Sequence, residues 1–170
     1  MGKVIPHKSF TFIQEVGGIS EFVHGGNGLQ VLLKENHSSE TVTFNVTYRV
    51  GSRDEATGYT GATHLLEHLM FKGSIQYNKK QNTSLDYLLH RIGADNNATT
   101  WFDRTNYYEV LPSEHLELVV KIEADRMRGA FINESDRQSE MTVVRNEFER
   151  GENSPGQVLD KQVWATAFQS

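Results

Sequence analysis

Residues 64–68 read His-Leu-Leu-Glu-His, and this short run constrains the structure more than any other part of the chain. In an α-helix, residues four apart lie on the same face, so a helix here would place the imidazoles of His64 and His68 side by side. Two imidazoles one turn apart can bind a single metal ion, and the carboxylate of Glu67 would lie close enough to serve a water at that ion without ligating it. The run therefore predicts a helix with two metal ligands and a general base.

An ordinary amphipathic helix is a second interpretation of the same run. Leu65, Leu66 and Leu69 would then pack in a core, and the histidines and the glutamate would lie on a solvated face. A run of this pattern is expected by chance roughly once in forty chains of this composition. The metal-site interpretation therefore needs support from elsewhere in the sequence.

A hydrolytic zinc site has three protein ligands and one open position, so a third donor is needed. The chain has no cysteine and its five other histidines are scattered, which favours a carboxylate. Glu140 and Glu147 are separated by nearly two helical turns and would share one stripe of a helix, so one can ligate while the other supports the site. Apolar neighbours should desolvate Glu147 and favour its pairing with a metal, unless both glutamates lie on a solvated face.

Composition excludes several classes of function. The net charge is −5 at pH 7, and basic residues form no cluster larger than a pair, so nucleic acid is not an expected partner. No apolar run approaches the roughly 20 residues that span a bilayer, so no membrane span is expected. The residues themselves do not decide the compartment. Met1 and Gly2 are compatible with a start added after removal of a signal peptide, so a periplasmic location is only slightly favoured over a cytoplasmic one.

Hydrophobic periodicity predicts an α+β fold in which an antiparallel sheet packs against helices. Strands are predicted in a hairpin over residues 20–33 and over residues 41–50, 94–100 and 105–111. Helices are predicted over residues 62–72, 84–91, 113–128, 133–150 and 155–170, with Ser113, Asn133 and Ser154 as N-caps. We expect residues 1–170 to form one domain, cut from a longer protein because the last helix has no stop signal.

Several runs closely resemble the pitrilysin family of inverted zincin peptidases, which includes insulin-degrading enzyme and the mitochondrial processing peptidase. The strongest resemblance is carried by residues 58–74, around the His-Leu-Leu-Glu-His run. Four further stretches agree with the family, namely residues 93–99, 103–108, 111–112 and 143–147. The resemblance extends from about Gly28 to the end of the chain.

The resemblance implies a zinc metalloendopeptidase that hydrolyses extended peptides or small unfolded proteins. It implies that His64, His68 and Glu147 ligate one zinc ion, that Glu67 activates a zinc-bound water, and that Glu140 supports the site. It further implies that the substrate peptide adds as a strand to an exposed edge, with the following residues as substrate contacts: Phe71, Asn97 and Ala98.

Members of this family pair such a half with a second homologous half or subunit, which supplies an Arg and a Tyr to the catalytic chamber. The resemblance therefore implies that this chain is the N-terminal, zinc-bearing portion and that it is weakly active or inactive alone. The alternative function is a non-catalytic or partner-dependent subunit of a processing-peptidase-like complex. The intact metal motif argues against a subunit that has lost catalysis.

Overall fold

The computed structural model describes residues 7–168, and within them the chain divides into two compact units between residues 40 and 41. The expected start at Met1 and Gly2 lies outside the described residues. So do the last two positions of the predicted C-terminal helix. Both units contain antiparallel strands, and helices are confined to the second unit.

The first unit is a three-stranded meander of β1 (Phe10–Val16), β2 (Ile19–His24) and β3 (Gln30–Leu33), in that order. The predicted hairpin of β2 and β3 is confirmed. β1 was not predicted, because its seven residues do not alternate between apolar and polar side chains. β1 and β2 are joined by Gly17 and Gly18, whose φ angles of 60° and 77° suit a two-residue hairpin turn.

The second unit is built on an antiparallel sheet with the order β4-β6-β5. Its strands are β4 (Thr41–Tyr48), β5 (Asp95–Thr100) and β6 (Thr105–Pro112). β6 is central, pairing Thr41–Tyr48 with Pro112–Thr105 on one side and β5 on the other. β5 is consequently an edge strand of this sheet.

Five helices complete the second unit, and with the sheets they confirm the α+β prediction. They are α1 (Ala62–Leu69), α2 (Leu85–Arg91), α3 (Leu116–Gly129), α4 (Glu134–Glu152) and α5 (Pro155–Ala167). Asn133 caps α4 as predicted, accepting a hydrogen bond from the Asp136 amide at 2.9 Å. The predicted cap by Ser113 is wrong, because Ser113–His115 forms a 3₁₀ turn and α3 begins at Leu116.

The hydrophobic core of the second unit lies between the sheet and helices α2 and α3. Its buried residues are Leu85, Leu89, Leu111, Val119 and Ile122. Alternate side chains of β4, including Val42 and Phe44, pack against this cluster, while their neighbours along the strand are exposed. The predicted alternation is confirmed for β4. Val50, predicted on the same face, lies beyond the strand and is exposed.

Charged side chains are also buried beside this core. Arg126 donates from Nε to Glu123 Oε2 at 2.7 Å, and its guanidinium lies 3.6 Å from Glu109 Oε1 and 4.2 Å from the ring centre of Tyr107. Burial, reinforced by the neighbouring Glu123 carboxylate, raises the pKa of Glu109 to about 8, while Arg126 opposes this shift. Glu109 therefore keeps its proton to a higher pH in the folded protein than in the unfolded chain.

Replacing Glu109 should change how stability depends on pH. The ordinary pKa is 4.5, so the unfolded chain releases a proton that the folded protein keeps. The free energy of unfolding should consequently fall as pH rises from about 5 to about 8, by up to about 1.4 kcal/mol per pH unit. Glu109→Gln should remove this part of the slope, measured by urea unfolding across the range. The exposed Glu114→Gln control should keep the wild-type slope, and an unchanged slope in Glu109→Gln would contradict the interpretation.

Candidate active site

α1 begins at a carboxylate cap that was not predicted from the sequence. Glu55 accepts hydrogen bonds from the backbone amides of Gly61 and Thr63, both at 2.8 Å, and from the Thr63 hydroxyl at 2.5 Å. Burial opposes ionisation of Glu55, but the hydrogen bonds from Thr63 and Gly61 hold its pKa below the ordinary value. A negative charge at a helix N-terminus also interacts favourably with the helix dipole. Glu55 therefore anchors the start of the helix that presents His64 and His68.

Three donor atoms converge between α1 and α4. The Nε2 atoms of His64 and His68 are 3.3 Å apart, and Glu147 Oε2 lies 3.4 Å from the first and 3.5 Å from the second. A tetrahedral zinc ion with bonds of about 2.0–2.1 Å separates its ligand atoms by about 3.4 Å. The triangle has the size and the donor types of a three-ligand zinc site, and these three residues form a possible metal-binding group.

Glu140 lies behind this triangle and contacts His68 from the other side of the ring. Its Oε2 is 3.0 Å from His68 Nδ1, and its Oε1 forms an ion pair with Lys72. Burial opposes ionisation of Glu140, but the bonds to Lys72 and His68 bring its pKa below the ordinary value. An ionised carboxylate at Nδ1 requires a proton on that nitrogen, which leaves the lone pair of Nε2 directed into the triangle.

Glu140 and Glu147 both contact residues of α1. They therefore lie on the same face of α4, as their spacing in the sequence predicts. The expected desolvation of Glu147 is wrong, because its side chain is 41% exposed. The apolar residues near it in sequence point elsewhere, and Phe148 itself is largely exposed. Glu140, by contrast, is buried. The outer edge of the triangle is therefore open to solvent, as the open fourth coordination position of a catalytic zinc site requires.

Glu67 is buried beside the triangle, against strand β5. The Thr100 hydroxyl, on the last residue of β5, donates a hydrogen bond to Glu67 Oε2. In the alternative interpretation of α1, Glu67 would be solvated and Leu66 buried. The structure shows the reverse, since Glu67 is 8% exposed and Leu66 is 41% exposed. The carboxylate is thus held at the site by a partner on a different element.

Sequence reasoning missed three residues that support the site: Glu55, Lys72 and Thr100. Lys72 follows His68 by four residues, a helical spacing that could have drawn attention to it. Nothing in the spacing of Glu55 or Thr100 relates either residue to α1, because both reach it through the tertiary fold.

The predicted substrate contacts lie along one wall of the site. Asn97 is exposed on β5, and its Oδ1 accepts a hydrogen bond from the Ala98 amide at 2.8 Å. Ala98 is buried. Phe71 is half-buried, with its ring 6.0 Å from that of Tyr107 and packed against the core cluster. All three predicted contacts line the cleft, and their role in substrate binding remains a prediction.

An open cleft of about 960 Å³ connects these groups. It includes the donor triangle, Glu67 and Glu140, most of β5 and the turn that follows it. A cleft of this size is large enough to hold a segment of a peptide. The geometry therefore places a candidate metal centre, the Glu67 carboxylate and an edge strand in one concavity.

Several known proteins are similar to this chain in sequence and in fold. Residues 30–170 match the family model described as insulinase, peptidase family M16. The chain belongs to the insulinase family. An uncharacterized zinc protease of Streptomyces coelicolor is 33% identical over 141 residues, which is 83% of this chain and 30% of that protein. The beta subunit of the rat mitochondrial-processing peptidase is 32% identical over 144 residues, which is 85% of this chain and 29% of that protein.

Solved structures of proteases have the same fold. The crystal structure of a protease from Helicobacter pylori has a TM-score of 0.70 at 33% identity, covering 79% of this chain and 32% of that one. The structure of pitrilysin has a TM-score of 0.75 at 24% identity, covering 88% of this chain and 16% of that one. These findings confirm the resemblance to the pitrilysin family. The chain spans about a third or less of the length of these insulinase-family relatives.

Removing the cap on α1 should destabilise the second unit. Glu55→Ala leaves the amides of Gly61 and Thr63 without their acceptor, and loss of an N-terminal cap costs about 1 kcal/mol. The free energy of unfolding should fall by about that amount, measured by urea denaturation. Glu35→Ala, an exposed glutamate in a loop, is the control and should change little. Equal stability of Glu55→Ala and wild type would show that the cap does not stabilise α1.

Proposed function

We propose that this chain is the zinc-bearing part of a metalloendopeptidase that hydrolyses peptide bonds in extended peptides or small unfolded proteins. The observation that carries the proposal is the triangle of His64, His68 and Glu147, whose edges suit a tetrahedral zinc ion. The zinc protease named among its relatives supports the same chemistry.

Bound zinc would lower the pKa of a water molecule and polarise the carbonyl of the peptide bond. His64 and His68 provide neutral Nε2 donors, and Glu147 provides one carboxylate oxygen. This donor set leaves one negative charge on the protein side of the site, so the ion retains positive charge for the reaction.

Glu67 is the proposed general base. Its carboxylate takes the proton of the attacking water and delivers it to the nitrogen of the departing amine. Thr100 donates to Oε2, so Oε1 is available for the proton transfer. Burial limits the rotamers that the side chain can adopt, which keeps the carboxylate in place for both transfers.

The edge of β5 is the proposed binding site for the substrate backbone. A peptide that adds as a further strand pairs with the chain through main-chain groups, which recognises extended conformation rather than one sequence. Asn97 and Ala98 would contact this peptide, and Phe71 would contact a side chain next to the bond that is cut. The Ala98 amide, now bonded to the Asn97 side chain, is available to a peptide carbonyl if that side chain turns away.

A second homologous half or subunit is the proposed partner. The chain matches only 29% of the rat relative, which is itself named as a subunit. Much of the substrate positioning would come from this partner, because the cleft described above is open on one side. In the alternative function, the chain is a partner-dependent subunit. That alternative differs from the main proposal in how the halves are assembled, and the metal site is the same in both. None of the helices within residues 7–168 combines the length and the hydrophobicity that a bilayer span needs.

Glu67→Gln separates metal binding from catalysis. The amide that replaces the carboxylate cannot accept the proton of water, so peptide cleavage should fall by at least about a hundredfold. Zinc content should stay at one ion per chain, because Glu67 is not a proposed ligand. Cleavage of an unstructured reporter peptide is measured with the chain assembled with its proposed partner half, and zinc by elemental analysis. Cleavage at the wild-type rate by a zinc-loaded variant would exclude Glu67 as the base.

Glu140→Gln tests the support of the metal site. Loss of the charge weakens the hydrogen bond to His68 Nδ1 and removes the ion pair with Lys72. Residues that hydrogen-bond to a metal ligand typically contribute tenfold to a hundredfold in metal affinity. The dissociation constant for zinc, measured by competition with a chelator, should rise by about that factor. Glu149→Gln, an exposed change on the same helix, should leave it unaltered. Equal zinc affinity in both variants would contradict the assigned role of Glu140.

A further inference from the structure

Four aromatic rings form a row at the end of the cleft, and each ring contacts the next. Trp101 and Phe102 lie in the turn after β5 with ring centres 5.4 Å apart, and Trp164 on α5 lies 4.8 Å from Phe102. Phe168, just after α5, stacks on Trp164 at 5.0 Å. We call these four residues the aromatic shelf. Trp101 and Phe102 also line the cleft, so the shelf is continuous with the proposed peptide site.

The shelf is exposed although its residues are among the most apolar in the chain. Trp101 is 58% exposed, Phe102 40%, Trp164 46% and Phe168 67%. Single exposed apolar residues are common, but a contiguous group beside a cleft is typical of a binding surface. Aromatic side chains are enriched at such surfaces because they offer a large contact area and lose little conformational entropy. The contacts between the rings limit their motion further.

The backbone under the shelf is held in place from two sides. The Trp101 amide donates to the Arg104 carbonyl at 2.8 Å, which closes the turn. The carbonyls of Trp101 and Phe102 accept hydrogen bonds from the amides of Ser52 and Arg53 at 3.0 and 2.9 Å. Gly51 permits this approach, since a Cβ atom there would lie 2.2 Å from the Trp101 carbonyl oxygen. The rings are therefore preorganised, and binding would require little ordering of the protein.

Trp101 directly follows the last residue of the edge strand β5. It is three residues beyond Ala98, which corresponds to about 10 Å along a strand. A peptide paired with β5 would bring a residue about three positions from the one opposite Ala98 to the shelf. The shelf offers an aromatic surface at this position, which favours contact with another ring or a large apolar side chain.

We propose that the aromatic shelf is a specificity subsite that binds a large apolar, preferably aromatic, side chain of the peptide, about three residues from the residue opposite Ala98. The inference rests on the proposed function, because it takes the peptide to lie along β5. It adds a preference that main-chain pairing alone does not provide. Substrates of the chain should therefore carry an aromatic residue at a fixed distance from the cleaved bond.

Peptide binding to the Glu67→Gln chain tests the proposal without cleavage. The probes are dye-labelled twelve-residue peptides of Ala, Ser, Thr and Gly, in which a single Phe is moved through every position. Fluorescence anisotropy should show about tenfold tighter binding than the Phe-free parent at one position or two neighbouring ones. Trp101→Ala should abolish this gain, so that the Phe peptides and the Phe-free parent bind this variant with equal affinity.

Tryptophan emission locates the contact, because Trp101 and Trp164 are the two tryptophans of the sequence. In a Trp164→Phe background, the Phe peptide should shift the emission of Trp101, and the parent peptide should not. Tyr87→Ala, which removes an exposed aromatic residue on α2, is the matched control and should retain the tenfold gain.

Two results would overturn the subsite and leave the proposed function standing. One is binding of all peptides with equal affinity and no change in emission, as expected if another part of the enzyme covers the shelf. The other is a Phe preference that survives both Trp101→Ala and Phe102→Ala. Failure of every peptide to bind would instead overturn the subsite together with the proposed β5 site.

Discussion

The contact between the Glu140 carboxylate and the His68 ring is the interaction on which the site depends. A buried carboxylate needs charged or hydrogen-bonding partners, and Glu140 finds them in Lys72 and His68. This requirement fixes the position of α4 along α1. Since Glu147 lies two turns further along α4, the same contact brings its carboxylate to the opposite nitrogen of the His68 ring. The His68 imidazole thus lies between two carboxylates. Glu140 orients the ring, and Glu147 would bind the same metal ion as the ring.

The two buried acids of the second unit show how partners decide the state of a carboxyl group. Glu140 forms an ion pair with Lys72, and its pKa is lowered despite burial. Glu109 has a carboxylate neighbour, Glu123, which takes the closer bonds of Arg126, and its pKa is raised. The first arrangement gives an ionised acceptor that can fix a histidine tautomer. The second keeps a neutral acid in the core, where a second full negative charge would be costly.

Helical spacing made the proposed ligands predictable, because each pair lies within one element. His64 and His68 are one turn apart, and Glu140 and Glu147 are two turns apart, so periodicity alone gives each shared face. The meeting of the two helices cannot be derived from periodicity, and there the family resemblance supplied the expectation. Glu55 and Thr100 were missed for the same reason, since each acts across elements. The wrong expectation for the environment of Glu147 has a related cause: apolar neighbours in sequence point to other faces of α4 and do not bury it.

Strand β5 joins the proposed substrate site to the proposed base. Side chains alternate along a strand, so Ala98 and Thr100 face the same side, toward α1, while Asn97 and Thr99 face outward. The face toward α1 therefore carries the hydroxyl that holds Glu67, and the strand's free edge carries the groups that would pair with a peptide. A shift of one residue in the pairing of β5 with β6 would turn Thr100 away from Glu67. The register that places the peptide backbone thus also places the base, so substrate position and proton transfer are set by one pair of strands.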